Sequence, residues 1–123
     1  AVITRLGDHP IHQDLPRKWK TPDIEVYHYA RGPAENVEVL SYTYDIQTKM
    51  NWPIEWTVQY GKGRVYVATY GHVWKDDKTS PARMRCAGVQ TLIVRATWWL
   101  AGRTEKLPVP ADFPTEAAFS IRP

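Results

Sequence analysis

The alternation of apolar and polar positions predicts a β-hairpin near the middle of the chain. Residues 55–60 alternate strictly, which is typical of a half-buried strand. The glycine-bearing turn at 61–63 leads into residues 64–70, which carry no charge after their first position and are apolar on both faces. Because such a strand favours a place in the middle of a covered sheet, we expect 64–70 to be a central strand. On 55–60, one face would carry Trp56, Val58 and Tyr60, and the other Glu55, Thr57 and Gln59.

A helical period follows the hairpin and predicts one long helix. Ser80 is a typical N-cap residue, Pro81 suits the first helical position and Gly102 suits the position after the last turn. Arg95 is expected to stay on the outer face of this helix. Apolar side chains that recur at helical spacing would form the buried stripe: Cys86, Val89, Ile93, Ala96 and Leu100.

The remaining elements are predicted to be short strands and loops. Strands are expected at 24–29 and 37–44, a loop at 45–53, and an extended proline-rich tail over 107–123. A central strand needs a layer on each face of its sheet, yet only one helix is predicted. We therefore expect a second copy of the chain, or sequence outside these 123 residues, to supply the missing layer.

Composition and charge exclude several classes of protein. Lys and Arg outnumber Asp and Glu by 16 to 13, and this excess of +3 is too small to indicate a nucleic-acid binder. The single cysteine, Cys86, excludes an internal disulfide framework. The longest uncharged stretch, 65–74, is about half of the roughly 20 residues that a membrane-spanning helix needs, so no span is expected. Because the chain starts at Ala1 rather than Met, we expect a processed product or a piece of a longer protein.

His72 is the strongest candidate for chemistry. It follows Gly71 at the carboxyl end of the predicted strand, the edge at which open α/β sheets bind ligands. It can serve as general base, general acid or metal ligand, or it can simply hydrogen-bond the loop. Asp76 and Asp77 lie within reach of the same place, although a solvated loop is their ordinary role. Trp52 and Trp74 could stack on a sugar ring or cover the sheet.

Glu25 and Tyr27 form a second candidate group, because residues two apart in a strand point to the same face. A carboxylate between apolar neighbours could bind a metal or hold a catalytic histidine, and the alternative is a solvated edge-strand glutamate. His9 and His12 suggest a metal pair, but the proline between them favours a turn and no further ligands lie nearby in the sequence.

Several short motifs occur in a characteristic order along the chain. A tryptophan-bearing strand precedes Tyr60-Gly-Lys-Gly-Arg-Val65, then Tyr70-Gly-His72, and then a helix that ends in Trp98-Trp-Leu-Ala-Gly102, while His9-Pro-Ile11 and Glu25-x-Tyr27 lie upstream. In this order the motifs closely resemble the trehalose-utilisation (ThuA-like) family over nearly the whole chain.

The resemblance implies an α/β fold: a partial flavodoxin-like (class I glutamine-amidotransferase-like) three-layer arrangement, with sheet strands and one long C-terminal helix. Residues 1–106 would be the carboxyl-terminal half of a ThuA-like domain and 107–123 a proline-rich tail. The absent amino-terminal half, or another chain, is then an implied partner. Cys86 lies in the wrong place for an amidotransferase nucleophile, so an active glutamine amidotransferase is not expected. The tail looks like the extension of some secreted members, which favours a periplasmic or secreted bacterial location.

The resemblance also implies a role in the catabolism of trehalose or a related keto-sugar or glycoside, by hydrolase- or lyase-type chemistry. By motif, His72 is base or metal ligand, Glu25 is its carboxylate partner, and Tyr27 and Trp74 shape the sugar pocket. The further substrate-binding residues would be Trp52, Gly71 and Asp76. The alternative is a non-catalytic module that binds sugar or assembles a larger complex.

A divalent metal such as zinc, held by His72 and Glu25, is compatible with this resemblance, since imidazole plus carboxylate suits that ion. Family members often carry an acidic or small polar residue directly after the histidine, where Val73 stands here. Glu25 or Asp76 would therefore have to supply the carboxylate.

Overall fold

An antiparallel sheet of five strands forms one layer of the structure, in the order β2-β1-β3-β4-β5, and the helices pack on one face of it. The computed structural model describes residues 1–29, 31, 34–78 and 81–123. Neither helix in this described part is long and apolar enough to cross a membrane. In chain order the elements are β1 (Val2–Arg5), a 3-10 turn (Pro10–His12), β2 (Lys18–Lys20), β3 (Val37–Asp45), β4 (Met50–Tyr60), β5 (Gly63–Ala68), α1 (Ala82–Arg85) and α2 (Ala87–Leu100).

The predicted hairpin is confirmed. β4 pairs antiparallel with β5, and Gly61 closes the turn with a φ of +57°, a conformation that glycine adopts without a steric penalty. The strand predicted at 37–44 is also confirmed, as β3, which pairs with β4 on its other side. The alternation of the sequence therefore located the central part of the sheet correctly.

Two local predictions around this hairpin are wrong. The loop predicted at 45–53 is shorter, because β4 already begins at Met50 and pairs with the last residues of β3. Asp45 stabilises the tight turn between the two strands, since its carboxylate accepts hydrogen bonds from the backbone N–H and the hydroxyl of Thr48 at 2.9 and 2.6 Å. No strand forms at 24–29, where the described residues join no ladder of the sheet.

β5 lies at the edge of the described sheet, so the prediction that residues 64–70 form a central strand is wrong. Its two apolar faces have different surroundings. Tyr66 and Ala68 pack against the hydrophobic core, whereas Val65 on the opposite face is exposed. The strand pairs of the described sheet are all antiparallel. An α/β architecture with one long helix is thus confirmed, while the flavodoxin-like three-layer arrangement stays a prediction.

The predicted continuous helix is wrong, because the tail divides it at Cys86. This residue has an extended backbone, with φ −61° and ψ 124°, and forms an isolated antiparallel bridge with Ile121. The N–H of Ala87, which begins α2, donates to the carbonyl of Ser120 at 2.9 Å. Since the first N–H groups of a helix lack partners within it, this tail carbonyl caps α2. The predicted N-cap, Ser80, lies outside the described residues.

The buried face of α2 is rotated relative to the predicted stripe. Ile93 and Leu100, expected inside, are 44% and 41% exposed, whereas Arg95, expected outside, is only 5% exposed. The buried apolar side chains of α2 are those of Ala87, Val89, Leu92 and Ala96.

Arg95 is buried because its guanidinium joins α2 to two distant segments. It donates to backbone carbonyls of the N-terminal turn region, at 2.6 Å to Gln13, and of the tail, at 2.8 Å to Leu107. Longer contacts of 3.3 and 3.2 Å reach Ile11 and Pro108. A guanidinium has five donors, and here Nη1 and Nη2 donate to backbone oxygens without a carboxylate. Apolar periodicity cannot reveal such a contact.

The proline-rich tail packs on the rest of the chain. The ring centroids of Phe113 and Trp19 lie 5.6 Å apart, and Arg122 donates two hydrogen bonds to Asp112 at 2.7 and 2.8 Å. Together with the bridge to Cys86, these contacts hold residues 107–123 against the start of α2.

A polar network centred on Glu55 lies inside the core. Glu55 is 0% exposed, and its carboxylate accepts hydrogen bonds from His12 Nε2, Ser41 Oγ and Tyr66 Oη, each at 2.7 Å. Tyr70 Oη lies 2.8 Å from Tyr66 Oη and donates to it, because Tyr66 uses its own proton for Glu55. Burial raises the pKa of both tyrosines well above the ordinary value, so both remain neutral donors. The polar face of β4 is therefore the buried face.

Glu55→Gln is expected to lower the free energy of unfolding at pH 7 by about 3–5 kcal/mol, because removing one partner of a buried ionic network leaves the others unsatisfied. Urea denaturation measures this difference. Gln59→Ala, at the exposed end of the same strand, is the matched control and should change stability by less than about 0.5 kcal/mol. Equal midpoints for the two variants would contradict the role given to Glu55.

The stability difference between wild type and Glu55→Gln is also expected to depend on pH. Burial by itself raises the pKa of Glu55, but the hydrogen bond and charge of His12, with hydrogen bonds from Ser41 and Tyr66, hold it below its ordinary value. Because the folded pKa is below the unfolded value of about 4.3, the stabilisation is fully present above about pH 5 and is lost as the pH falls through the folded pKa. The stability difference between wild type and Glu55→Gln should therefore shrink below about pH 4. A constant difference down to about pH 2 would show that the charge of Glu55 is unimportant.

Gly88→Ala is expected to destabilise the protein, although alanine usually stabilises a helix by about 1 kcal/mol over glycine. A Cβ at this position would lie 2.4 Å from Trp19 Cζ3 and 3.1 Å from Pro114 Cγ. Overpacking of this kind costs about 1–3 kcal/mol, measurable as a lower Tm. Gly7→Ala is the control, since nothing lies within 4 Å of its added Cβ. A Gly88→Ala protein at least as stable as wild type would refute this packing argument.

Candidate functional site

His72 lies in the loop after β5, between a carboxylate and an indole. Its Nε2 is 3.7 Å from Asp23 Oδ2, and its ring meets that of Trp74 edge-on with the centroids 5.2 Å apart. The His72 side chain is 18% exposed, so it is partly shielded but still reachable. An imidazole beside a carboxylate at the end of a strand is an arrangement suited to proton transfer.

Gly71 is required for this loop to pack where it does. Its φ is +82°, and an added Cβ would lie 2.9 Å from Val89 Cγ1 and 3.1 Å from Met84 Sδ. The backbone at Gly71 therefore approaches both helices closely, which places the following residue, His72, near the start of α2. A direct role of Gly71 in substrate binding stays a prediction.

Arg83 and Asp77 hold the His72 loop in shape. Arg83 donates from Nε to the carbonyl of His72 at 2.6 Å and from Nη2 to Asp77 Oδ2 at 2.5 Å, and its Nη1 lies 3.7 Å from Asp23 Oδ2. The carboxylate of Asp77 also accepts the backbone N–H of Trp74 at 2.8 Å. One guanidinium thus connects both carboxylates with the backbone of His72.

Sequence reasoning missed two of these residues and left Asp77 undistinguished from Asp76. Asp23 and Arg83 have no local pattern that marks them, because both act through contacts with distant parts of the chain. Asp77 stands beside Asp76, and the sequence cannot tell which of the two turns inward. Asp77 does so, whereas Asp76 is exposed, and its predicted role in binding is untested.

Glu25 and Tyr27 lie next to each other as expected. Tyr27 Oη donates to Glu25 Oε2 at 3.1 Å, and this hydrogen bond raises the pKa of Tyr27, so its hydroxyl stays protonated. The N–H of Glu25 donates to the carbonyl of Thr69 at 3.3 Å, which places this segment alongside the approach to Gly71. The carboxylate beside His72 is that of Asp23. The proposed partnership of Glu25 with His72 therefore stays a prediction.

Trp52 lies in a separate aromatic cluster. Its ring centroid is 5.0 Å from that of His28 and 4.9 Å from that of Tyr29, and its Nε1 donates to Thr48 Oγ1 at 2.7 Å. The side chain is covered by these neighbours and buried. In this position Trp52 covers the sheet, and its stacking on a sugar stays a prediction.

The described residues do not assemble a metal centre of three or more His, Cys, Asp or Glu side chains. A catalytic zinc site needs three protein ligands, more than the pair of His72 and Glu25 provides. His9 and His12 do not form a metal pair either. His12 is bonded to Glu55, while His9 Nδ1 accepts the N–H of Ile11 at 3.3 Å within the 3-10 turn. The prediction of a divalent metal has no support from this geometry.

Comparison with known proteins yields a family and one solved structure. A search of curated proteins finds no match. The crystal structure of a ThuA-like protein from Parabacteroides merdae superimposes with a TM-score of 0.84 at 32% sequence identity, over 98% of this chain and 45% of that one. The present chain therefore spans less than half the length of this similar protein. The sequence model of the family described as trehalose utilisation matches residues 1–100, which agrees with the motifs around His72. The chain belongs to the trehalose-utilisation (ThuA) family.

Proposed function

We propose that this chain carries part of a sugar-processing site, acting in the catabolism of trehalose or a related keto-sugar or glycoside. His72 would be its proton-transfer group. The observation that carries the proposal is the place of His72 at the end of β5, between the Asp23 carboxylate and the exposed ring of Trp74. Family membership supports a sugar as the substrate class, and hydrolase- or lyase-type chemistry is the reaction type that a proton-transfer group suits.

The geometry supports Nε2 as the reacting nitrogen of His72. Its Nδ1 is buried and has no hydrogen-bond partner among the described residues, while Nε2 faces Asp23 at 3.7 Å. At that spacing the carboxylate would stabilise the positive charge that the imidazole gains on accepting a proton. The proton would come from a water, a sugar hydroxyl or a carbon next to a keto group.

Tyr27 and Trp74 have the character of sugar-binding side chains. Both are exposed, and the hydroxyl of Tyr27 is kept protonated by Glu25. A tryptophan ring can pack on the apolar face of a pyranose, and the phenol oxygen, whose own proton is donated to Glu25, can accept a hydrogen bond from a sugar hydroxyl. The proposal uses no metal-dependent step, because the described side chains around His72 do not form a complete ligand set.

The outer face of the sheet supports the proposal that further polypeptide completes the site. Six apolar side chains form two rows across β3, β4 and β5, on the face away from α2: Val37, Val58 and Val65, then Val39, Trp56 and Val67. Val37, Val39 and Val65 are exposed. Apolar rows of this kind favour burial against another layer. The remainder of a ThuA-like domain, or another chain, is the partner that we propose for this face.

His72→Ala should lower kcat/KM on keto-trehalose or a related glycoside by about a hundredfold or more, because general acid–base groups contribute 10²–10⁴ in rate. Asp23→Asn should lower it roughly fivefold to tenfold, since it removes one nearby charge. Steady-state kinetics on the intact natural protein, with metal analysis of the same samples, measures both effects. Lys75→Gln in the same loop is the control and should be unaffected.

Unchanged turnover in His72→Ala would contradict the catalytic proposal. Sugar binding that is lost in Trp74→Ala, without turnover of any of these sugars by the wild type, would instead identify a non-catalytic sugar-binding module. Metal in the wild type that disappears in both His72→Ala and Glu25→Ala would restore the metal hypothesis.

Arg83→Gln is expected to loosen residues 72–77, because it removes the hydrogen bonds to His72 and Asp77. Amide hydrogen exchange in this loop should become faster, by tenfold or more if about 1.4 kcal/mol of local stability is lost. Arg85→Gln is the matched control on the same helix, since its contact at 3.4 Å is with Arg122 of the tail. Identical exchange in the loop of both variants would show that Arg83 does not hold it.

A further inference from the structure

A groove of about 530 Å³ lies at the other end of α2 from His72. It is formed between the N-terminal segment 5–14 and the residues that follow the last turn of the helix. A smaller cavity of about 40 Å³ adjoins it and shares Gln13 and Trp99 as lining residues. The fourteen residues of α2 span about 20 Å at 1.5 Å per residue, so this groove and the His72 loop are separate places.

Among the described residues, four guanidinium groups line the two cavities, and two of them pair with no carboxylate of that part of the chain. Arg5 is paired with Asp8 at 2.8 Å and Arg103 with Glu105 at 3.5 Å. Arg64 and Arg95 form no ion pair with any described residue.

The guanidinium of Arg64 packs on an aromatic ring that lines the groove. Its guanidinium carbon lies 4.6 Å from the ring centroid of Trp99, in a cation–π contact. The acidic side chains on the groove wall are already engaged, Asp8 by Arg5 and Asp14 by Lys106. The charge that remains available to a ligand is therefore positive.

Three buried donors beside these cavities also lack acceptors among the described residues. They are Arg95 Nε and Trp98 Nε1 at the smaller cavity and Arg5 Nε at the larger one. Arg95 is 95% buried, and neither a guanidinium nor an indole N–H can accept a hydrogen bond. These buried donors lie behind the wall, and the unpaired charge that the groove itself presents is that of Arg64, which suits an anionic ligand.

We propose that this groove binds a small molecule bearing a carboxylate or phosphate group, with Arg64 as the main charged contact and Trp99 as the wall behind it. The volume suits a ligand larger than a bare ion, such as a sugar acid or a sugar phosphate. The site is independent of the function proposed for His72. The competing explanation is structural, since the carbonyls at the end of a helix attract arginine side chains without any ligand.

A titration of the intact natural protein, with ¹⁵N-labelled tryptophan, separates these explanations. Inorganic phosphate, glucuronate and neutral glucose are added in parallel at constant ionic strength set with sodium chloride. We expect phosphate or glucuronate to shift the indole N–H signals of Trp98 and Trp99 in a saturable way, while that of Trp74 beside His72 stays unchanged. Saturation by phosphate alone would indicate phosphate esters, and saturation by glucuronate alone would indicate carboxylates.

Two variants complete the test. Arg64→Gln should weaken binding by about tenfold or more, as expected for a charge-assisted hydrogen bond. Lys75→Gln, which removes an exposed cation in the His72 loop at the other end of α2, is the control and should leave binding unchanged. No saturable shift with either anion, equal binding of glucose, or equal weakening by the two variants would overturn the proposal.

Discussion

The rest of the structure depends on the hydrogen bonds that the buried carboxylate of Glu55 accepts. It joins His12 of the N-terminal turn, Ser41 of β3 and Tyr66 of β5, and through Tyr66 it reaches Tyr70. A buried charge is tolerated only when hydrogen bonds replace its lost water, so these segments must come together for Glu55 to be buried at all. Because Tyr70 stands two residues before His72, the same network sets where the candidate site begins.

The helix α2 separates two regions of different chemical character. Its beginning is capped by the tail and packs against Gly71. Beside it, His72 and Asp77 of one loop meet Asp23 from upstream and Arg83 of α1. The end of α2 carries tryptophans and arginines around a groove that presents donors and positive charge. Arg95, in the middle of α2, connects the N-terminal turn to the tail and so holds both ends of the chain against the helix.

Local patterns predicted the elements better than the site. The hairpin around Gly61, strand β3 and the long helix followed from alternation, turn residues and helical period. The break at Cys86 did not, because it depends on a bridge from Ile121, far along the chain. His72 was found from its place after a strand and a glycine, but its neighbours Asp23 and Arg83 were missed. Their positions are set by contacts across the fold, and no spacing along the chain records them.

By itself, the sequence determined that β4 has an apolar and a polar face and that a Gly-His motif ends the following strand. It did not determine which face of β4 is buried. Burying Glu55 and exposing Tyr60 looks unfavourable until His12, Ser41 and Tyr66 are in place as hydrogen-bond donors. Only the tertiary structure decided this, because the free energy of a buried polar group depends on partners that come from distant segments. The same reason applies to Arg95, which the helical period places outside and four backbone carbonyls hold inside.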